Sequence, residues 1–276
     1  MKKVSIIGLG WLGMPLAHAL AARGYQVVGS KSTQDGVTAA KMSGIDCYPL
    51  LLTPEIVCQA DCLNSLLDVD VLIITLPARR TVTQSDHYFQ AVQQLVDSAL
   101  AHNVGRMVFT SSTSVYGQYS GQVNENSPLL PVTQSGKVLK QLENWFHDLP
   151  HTSVDILRLA GLVGPDRHPG RFLAGKRDLP AGDQGVNLVH LEDVIAAILL
   201  LLRLPRGGHI YNLCAPLHPH KAVFYTALSH QLGVDAPHFL PGTAASESGK
   251  CVDGNRICRE LGFEYLYPDP MTMPVN

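Results

Sequence analysis

Val4-Ser5-Ile6-Ile7-Gly8-Leu9-Gly10-Trp11-Leu12-Gly13-Met14-Pro15-Leu16-Ala17 decides the fold. A short apolar run with the character of a buried strand enters a G-x-G-x-x-G turn. A helical stretch follows through Arg23 and stops at Gly24, and Gln26-Val27-Val28 opens a second strand. Alone the glycine pattern is weak; between a strand and a helix, with a second strand behind it, it signals dinucleotide binding. Gly8 permits the tight turn. Gly10 has no Cβ, so a pyrophosphate can approach the backbone, and Gly13 lets the helix pack close to the sheet. The unpaired N–H groups of the helix start then face the phosphates. Gly8, Gly10, Trp11, Leu12 and Gly13 are therefore expected to bind the cofactor.

Outward from the turn, the second strand ends in Gly29-Ser30-Lys31-Ser32-Thr33. An NAD site places an acid roughly 20 residues beyond the glycines to hold the ribose 2′-hydroxyl. Here no acid occurs before Asp35. Hydroxyls and a lysine suit a 2′-phosphate instead. Ser30, Lys31 and Ser32 thus predict NADP, with NAD as the alternative. The apolar strand Val71–Thr75 runs into Leu76-Pro77-Ala78. Ligands of parallel sheets lie outside the carboxyl ends of the strands, so Leu76, Pro77 and Ala78 are expected beside the cofactor.

Strand signals recur at 4–7, 26–29, 45–51, 71–75, 106–110, 154–159 and 209–213, and helix signals at 13–23, 36–43, 61–67, 86–102, 134–147, 191–203, 221–232 and 255–261. This alternation predicts an α/β fold, a Rossmann-type doubly wound parallel sheet of about seven strands with a small C-terminal lobe. Residues 1–160 form the expected NAD(P)-binding core. Residues 161–276 complete the sheet at about 187–216 and build a small substrate lobe from about 161–186 and 217–276.

Apolar residues make up 46% of the 276 and charged ones 16%, which implies a globular chain with a sizeable core. A net charge of −2 offers no basic surplus for nucleic acid. No apolar run approaches the roughly 20 residues that span a bilayer. Met1-Lys2-Lys3 passes straight into the first strand, which leaves no signal peptide, so the expected location is the cytoplasm. Six cysteines and twelve histidines are dispersed without metal-ligand spacing, and no metal site is predicted.

Two stretches carry candidate chemistry. Ser111-Ser112-Thr113-Ser114 places four hydroxyls at a strand's carboxyl end. Residues 161–185 form a long Gly/Pro-rich segment in which cations outnumber acids. Segments of this kind are usually functional. Arg167, Arg171 and Arg177 are candidate contacts for an anionic small-molecule substrate.

Four segments resemble the extended short-chain dehydrogenases, the sugar-nucleotide epimerases and dehydratases. These are Ser111–Gly117, Leu157–Pro165, Asn187–Val194 and Arg256–Phe263. The likeness covers nearly the whole chain and is nearest to an atypical bacterial branch of epimerase-like NAD(P)-binding proteins. It implies a seven-stranded sheet, a small C-terminal substrate lobe and a nucleotide sugar as a possible substrate. It also aligns Ser112 with the family's catalytic Ser/Thr and makes His190 the opening of a helix behind the cofactor. Two departures stand out. The family's usual turn is G-x-x-G-x-x-G. Its Tyr-x-x-x-Lys pair falls, without gaps, on Ser135 and Leu139. Tyr116, Tyr119, Lys137 and His190 are the nearby groups that could carry a proton, and of these Tyr116 and Lys137 join Ser112 as the catalytic candidates. The expectation is an NAD(P)-dependent oxidoreductase or epimerase-like enzyme with altered acid–base chemistry; the alternative is a non-catalytic NADP(H)-binding sensor or regulator. The opening stretch also resembles the β-hydroxyacid dehydrogenases, but that likeness ends after the first turn.

Overall fold

The computed structural model describes residues 2–53, 55–78, 82–150, 152–241 and 249–275. In chain order its strands are β1 (Lys3–Ile7), β2 (Gln26–Lys31), β3 (Asp46–Pro49), β4 (Leu51–Thr53), β5 (Glu55–Val57), β6 (Val71–Ile74), β7 (Arg106–Ser112), β8 (Gly121–Val123), β9 (Ser153–Leu159), β10 (Gly161–Val163), β11 (Leu188–His190), β12 (Ile210–Leu213) and β13 (Lys250–Val252). The helices are α1 (Gly13–Ala21), α2 (Gln34–Met42), α3 (Ala60–Leu67), α4 (Val82–Ala101), α5 (Gln134–His147), α6 (Leu191–Leu201), α7 (Lys221–Gln231) and α8 (Arg256–Leu261).

A 7-stranded sheet runs in the order β12-β9-β7-β6-β1-β2-β3, and its pairs β1–β2, β1–β6, β2–β3 and β6–β7 are parallel. The chain starts at β1, steps outward through β2 to β3, and crosses back to β6 on the other side of β1. That reversal is the topological switch point, where parallel sheets open a crevice at the strands' carboxyl ends. β1 and β6 are apolar because both faces of a central parallel strand are covered; Val4, Ile6, Ile7 and all four residues of β6 are buried.

The chain forms two compact units. The first comprises residues 1–115, 131–157 and 198–210. Within it α4 turns a stripe of Val92, Leu95, Val96 and Ala99 inward at helical spacing. The expected strand 45–51 is shorter. Leu50 still donates its N–H to the Lys31 carbonyl (2.9 Å), but β2 ends there and a longer β3 has no partner. Residues 51–53 instead pair antiparallel with 55–57.

The second unit comprises residues 116–130, 158–197 and 211–276. Its two short parallel pairs are β10–β11 and β8–β13. Asn187 ties them together by donating to the Lys250 carbonyl (2.8 Å) and accepting from the Val252 N–H (2.8 Å). His190 caps the start of α6: its Nδ1 accepts from the Glu192 N–H (3.2 Å), and its Nε2 therefore donates to the Pro274 carbonyl (3.0 Å). Asp193 accepts from the Leu266 and Tyr267 N–H groups (2.7 and 3.3 Å). The His190–Asp193 stretch thereby anchors the C-terminal segment to this unit.

Candidate functional site

At the carboxyl ends of β1, β2 and β6 lies a cavity of about 520 Å³ within the first unit. The first glycine turn builds one wall. Gly8 has a φ of +104°, a conformation that favours glycine. Its carbonyl accepts the Thr75 hydroxyl (2.7 Å), and its N–H donates to Ser30 Oγ (3.2 Å). Gly13 is required by packing, since a Cβ there would lie 2.1 Å from the Gly8 carbonyl oxygen. Gly10 differs from both: a Cβ there would meet nothing within 4 Å, and the residue lines the cavity. α1 begins without a side-chain cap and with no acid in its first turn, so its positive end is left for an anion. These features fit a dinucleotide pyrophosphate against Gly10 and the α1 N–H groups.

Of the residues expected to hold the cofactor, Gly8, Gly10, Ser30, Lys31, Ser32, Leu76 and Pro77 line this one cavity. Trp11, Leu12, Gly13 and Ala78 do not line it. Leu12 is buried at the entry to α1. Asp35 sits in the first turn of α2 and is also not among the lining residues.

Sequence reading missed half of the enclosure. Leu50–Thr53, turned away from the sheet with the hairpin, forms one side. His87, Tyr88, Ala91 and Val92 of α4 form another. Tyr88 is buried, donates to the Leu76 carbonyl (3.0 Å), and has its phenol pushed up by desolvation, so it serves as a neutral donor. Gly29 was equally unmarked: a Cβ there would fall 2.6 Å from Leu9 Cγ, so the glycine seats the turn against β2. A larger cavity of about 650 Å³ opens at the amino ends of β1–β3, beside Lys3, Tyr25 and Asp68, and contains none of the motif residues.

The catalytic candidates do not line the 520 Å³ cavity. Ser112 Oγ accepts the Ser114 N–H (3.1 Å) and shapes the turn after β7, while Ser111 donates to the buried Glu143 (2.5 Å). α5 starts hard against this turn; a Cβ on Gly136 would lie 2.8 Å from the Ser114 carbonyl oxygen. Lys137 is exposed on α5, and Leu139, at the position of the family's lysine, is buried. Ser135 Oγ lies 3.3 Å from Thr133 Oγ1.

In the second unit Tyr116 is fully buried. Its hydroxyl donates to Asn212 (2.7 Å) and accepts from Arg158 (2.9 Å). Desolvation pushes its phenol up, and the Arg158 guanidinium draws it partly back. Arg167 and Arg171 line one cavity of about 330 Å³. Arg177 is exposed outside it, on a segment whose Leu179 pairs with Phe239.

Among the described residues no helix is long and apolar enough to cross a membrane, and no group of three metal-ligating side chains gathers.

The model of the NAD dependent epimerase/dehydratase family matches residues 4–214. Over 276 residues, the full length of both chains, the sequence is 64% identical to Protein YeeZ of Escherichia coli strain K12. The UDP-Glc/GlcNAc 4-epimerase from Campylobacter jejuni aligns over 98% of this chain and 96% of its own with a TM-score of 0.80 at 17% identity. A short-chain dehydrogenase/reductase superfamily protein from Agrobacterium tumefaciens, solved with bound NAD, aligns over 98% and 94% with a TM-score of 0.75 at 20% identity. At such identities the structural likeness speaks for the fold. The family match, the near-complete relative and the glycine turn at the switch point agree: the chain belongs to the NAD-dependent epimerase/dehydratase family.

Proposed function

We propose that this protein binds NADP in preference to NAD and acts on a small anionic molecule as an oxidoreductase or epimerase-like enzyme without the Tyr-x-x-x-Lys pair. One observation carries the cofactor reading. Lys31, Ser30 and Ser32 line the same cavity as Gly8 and Gly10, and no acid is among the described residues lining it. A ribose 2′-hydroxyl would lack its usual carboxylate there, whereas a 2′-phosphate would meet a cation and hydroxyl donors. Lys31→Ala is expected to weaken NADP by roughly 10- to 100-fold, about 1.4 to 2.7 kcal/mol, and to leave NAD within about 2-fold. Fluorescence titration of both reduced cofactors checks this; equal losses would remove the basis for NADP preference.

When bound, the nicotinamide supplies a hydride donor or acceptor. Hydride exchange at an alcohol carbon also requires that the oxygen lose or regain a proton. Ser135 is a poor proton carrier, because an aliphatic hydroxyl is a far weaker acid than a phenol. Leu139 brings no ammonium to lower it. Ser112 is the residue proposed to orient a substrate oxygen, with Lys137 as the proposed proton carrier; Tyr116 would first have to give up its bonds to Asn212 and Arg158. Arg167 and Arg171, which line one cavity, are proposed to meet the substrate's anion, with a nucleotide sugar among the candidates.

Ser135 and Leu139, where a tyrosine and a lysine were due, favour a second reading, a non-catalytic NADP(H)-binding sensor. Ser135→Tyr combined with Leu139→Lys separates the two. General acid–base groups contribute about 10²- to 10⁴-fold, so the double variant should gain at least about 100-fold on nucleotide sugars with NADP if only the pair is missing. Robust wild-type turnover that survives joint loss of Ser112, Tyr116 and Lys137 would refute this account of the site. Tight NADPH binding with no turnover in either protein would favour the sensor.

A further inference from the structure

The loop after β10 borders a small open cavity of about 330 Å³ within the second unit. It is lined by Asp166, Arg167, His168, Arg171, Phe172, Leu232 and Val275. The frame is rigid for local reasons. Arg167 donates its N–H to the Gly164 carbonyl (3.0 Å) and closes a tight turn. The Pro169–Arg171 turn is clamped to α7: Ser229 donates to the Gly170 carbonyl (3.2 Å), and a Cβ on Gly170 would lie 2.8 Å from the Leu228 carbonyl oxygen. Leu228 belongs to a buried apolar cluster with Val163, Phe224 and Met273, and Val275 packs against that cluster. Arg171 and His168 are thus carried on a turn whose backbone is fastened to the core.

The donors have a defined sense. His168 Nδ1 accepts the Gly170 N–H (3.0 Å), so in the neutral ring Nε2 carries the proton and is a donor. Burial, with the neighbouring Arg171 charge, holds the ring's pKa below the ordinary histidine range, which favours this neutral form. Two guanidinium groups and one carboxylate, that of Asp166, then leave the lining with a charge of +1 (two minus one). The rest of the lining is apolar, and Phe172 is 51% exposed, an aromatic face with room for a partner. Sugar hydroxyls call for paired donors and acceptors, and among the described lining residues Asp166 is the one carboxylate, while His168 Nδ1 is already taken by the Gly170 N–H. About 330 Å³ lies at the small end of ligand-pocket volumes, about 300–1,000 Å³, and suits a compact ligand.

We propose that this cavity selects a monoanion with a compact apolar body, an aryl or branched-alkyl carboxylate, with Arg171, Arg167 and the His168 Nε2–H on the carboxylate and Phe172, Leu232 and Val275 on the body. The inference rests on the reading that the Arg167–Arg171 segment meets an anion, and it adds which class. Guanidinium pairs a carboxylate through two parallel hydrogen bonds, and the apolar body removes Phe172 from water.

The full-length protein is titrated calorimetrically with phenylacetate, phenylacetamide, acetate, inorganic phosphate and UDP-glucose. Phenylacetate should bind at one site, with phenylacetamide and acetate each at least about 10-fold weaker, since one loses the charge and the other the apolar area. Arg171→Gln should weaken phenylacetate by at least about 10-fold, and Phe172→Ala by about 5-fold without changing acetate. Arg171 and Phe172 are exposed, and unchanged melting curves will show that both variants fold. If acetate or phosphate binds as tightly as phenylacetate and is lost in Arg171→Gln, the proposal is overturned while the anion reading stands. UDP-glucose as the sole binder, lost in the same variant, overturns it in favour of a nucleotide-sugar site. If Arg171→Gln alters no ligand's binding, both the proposal and the anion reading fall.

Discussion

Gly10→Val is expected to leave the protein folded and to abolish dinucleotide binding. The two halves of this result come from one geometric fact. A Cβ on Gly10 meets nothing within 4 Å, so a branched side chain projects into open space beside the cavity and not into the protein. Gly10 is also not among the residues with positive φ, and its backbone suits an L side chain. Stability should therefore change by no more than about 1 kcal/mol. A valine at this position occupies the space proposed for the pyrophosphate, and affinity for NADPH should fall by at least about 100-fold, about 2.7 kcal/mol. Gly13→Ala gives the opposite pattern and serves as the control. Its Cβ would sit 2.1 Å from the Gly8 carbonyl oxygen, a backbone atom that cannot yield, so the fold itself should suffer. Thermal melts of both variants with a cofactor titration of each check the pair. Undiminished affinity in a folded Gly10→Val protein would place the phosphates elsewhere.

The second large effect concerns stability alone. Asp155→Ala should cost about 3–5 kcal/mol, because it strands a buried guanidinium. Arg106 donates to Asp155 Oδ2 through Nη2 and Nε (2.9 and 3.3 Å), and two further hydrogens go to the carbonyls of Leu201 (2.5 Å) and Leu204 (2.6 Å) just where α6 ends. The other carboxylate oxygen accepts the His209 N–H (3.1 Å) and lies 2.8 Å from its Nδ1. The Asp155 side chain is wholly buried and that of Arg106 is 11% exposed, so water cannot replace what is lost. Domains are stable by only about 5–15 kcal/mol, which makes this a large fraction. Asp155→Asn retains one acceptor and should cost less than the alanine. Urea unfolding of the two variants beside wild type is the measurement. A loss below about 1 kcal/mol for Asp155→Ala would mean that Arg106 finds another partner.

The sequence alone determined the sheet and the chemistry of its first turn. Apolar strands alternating with helices of period 3.6 leave a local record, and each main strand was legible within a few residues of its observed bounds. The glycine turn was legible for the same reason, since backbone conformation and close approach at Gly8 and Gly13 impose residue types at fixed spacing. The absence of an acid near the end of β2 was likewise plain in the chain, as were Ser135 and Leu139 where a tyrosine and a lysine were due.

Only the tertiary structure decided what completes the site. Leu50–Thr53 and the α4 residues His87, Tyr88, Ala91 and Val92 reach the cavity because β2 stops at Lys31 and because the crossover brings α4 back over the switch point, and neither event has a periodic signature. Arg106, Asp155 and His209 read as three separate polar residues until strand order makes them one buried network. Tyr116 looked as available as Ser112. Its burial against Asn212 and Arg158, residues 96 and 42 positions away, is what binds its hydroxyl on both sides. Arg167, Arg171 and Arg177 formed one cluster along the chain. The clamp of Gly170 on α7 gathers the first two at one cavity, and the Leu179–Phe239 pairing carries the third away from it. Contacts between distant residues depend on how elements are ordered and how closely their backbones approach, and a single sequence records that only where a glycine or a proline is forced.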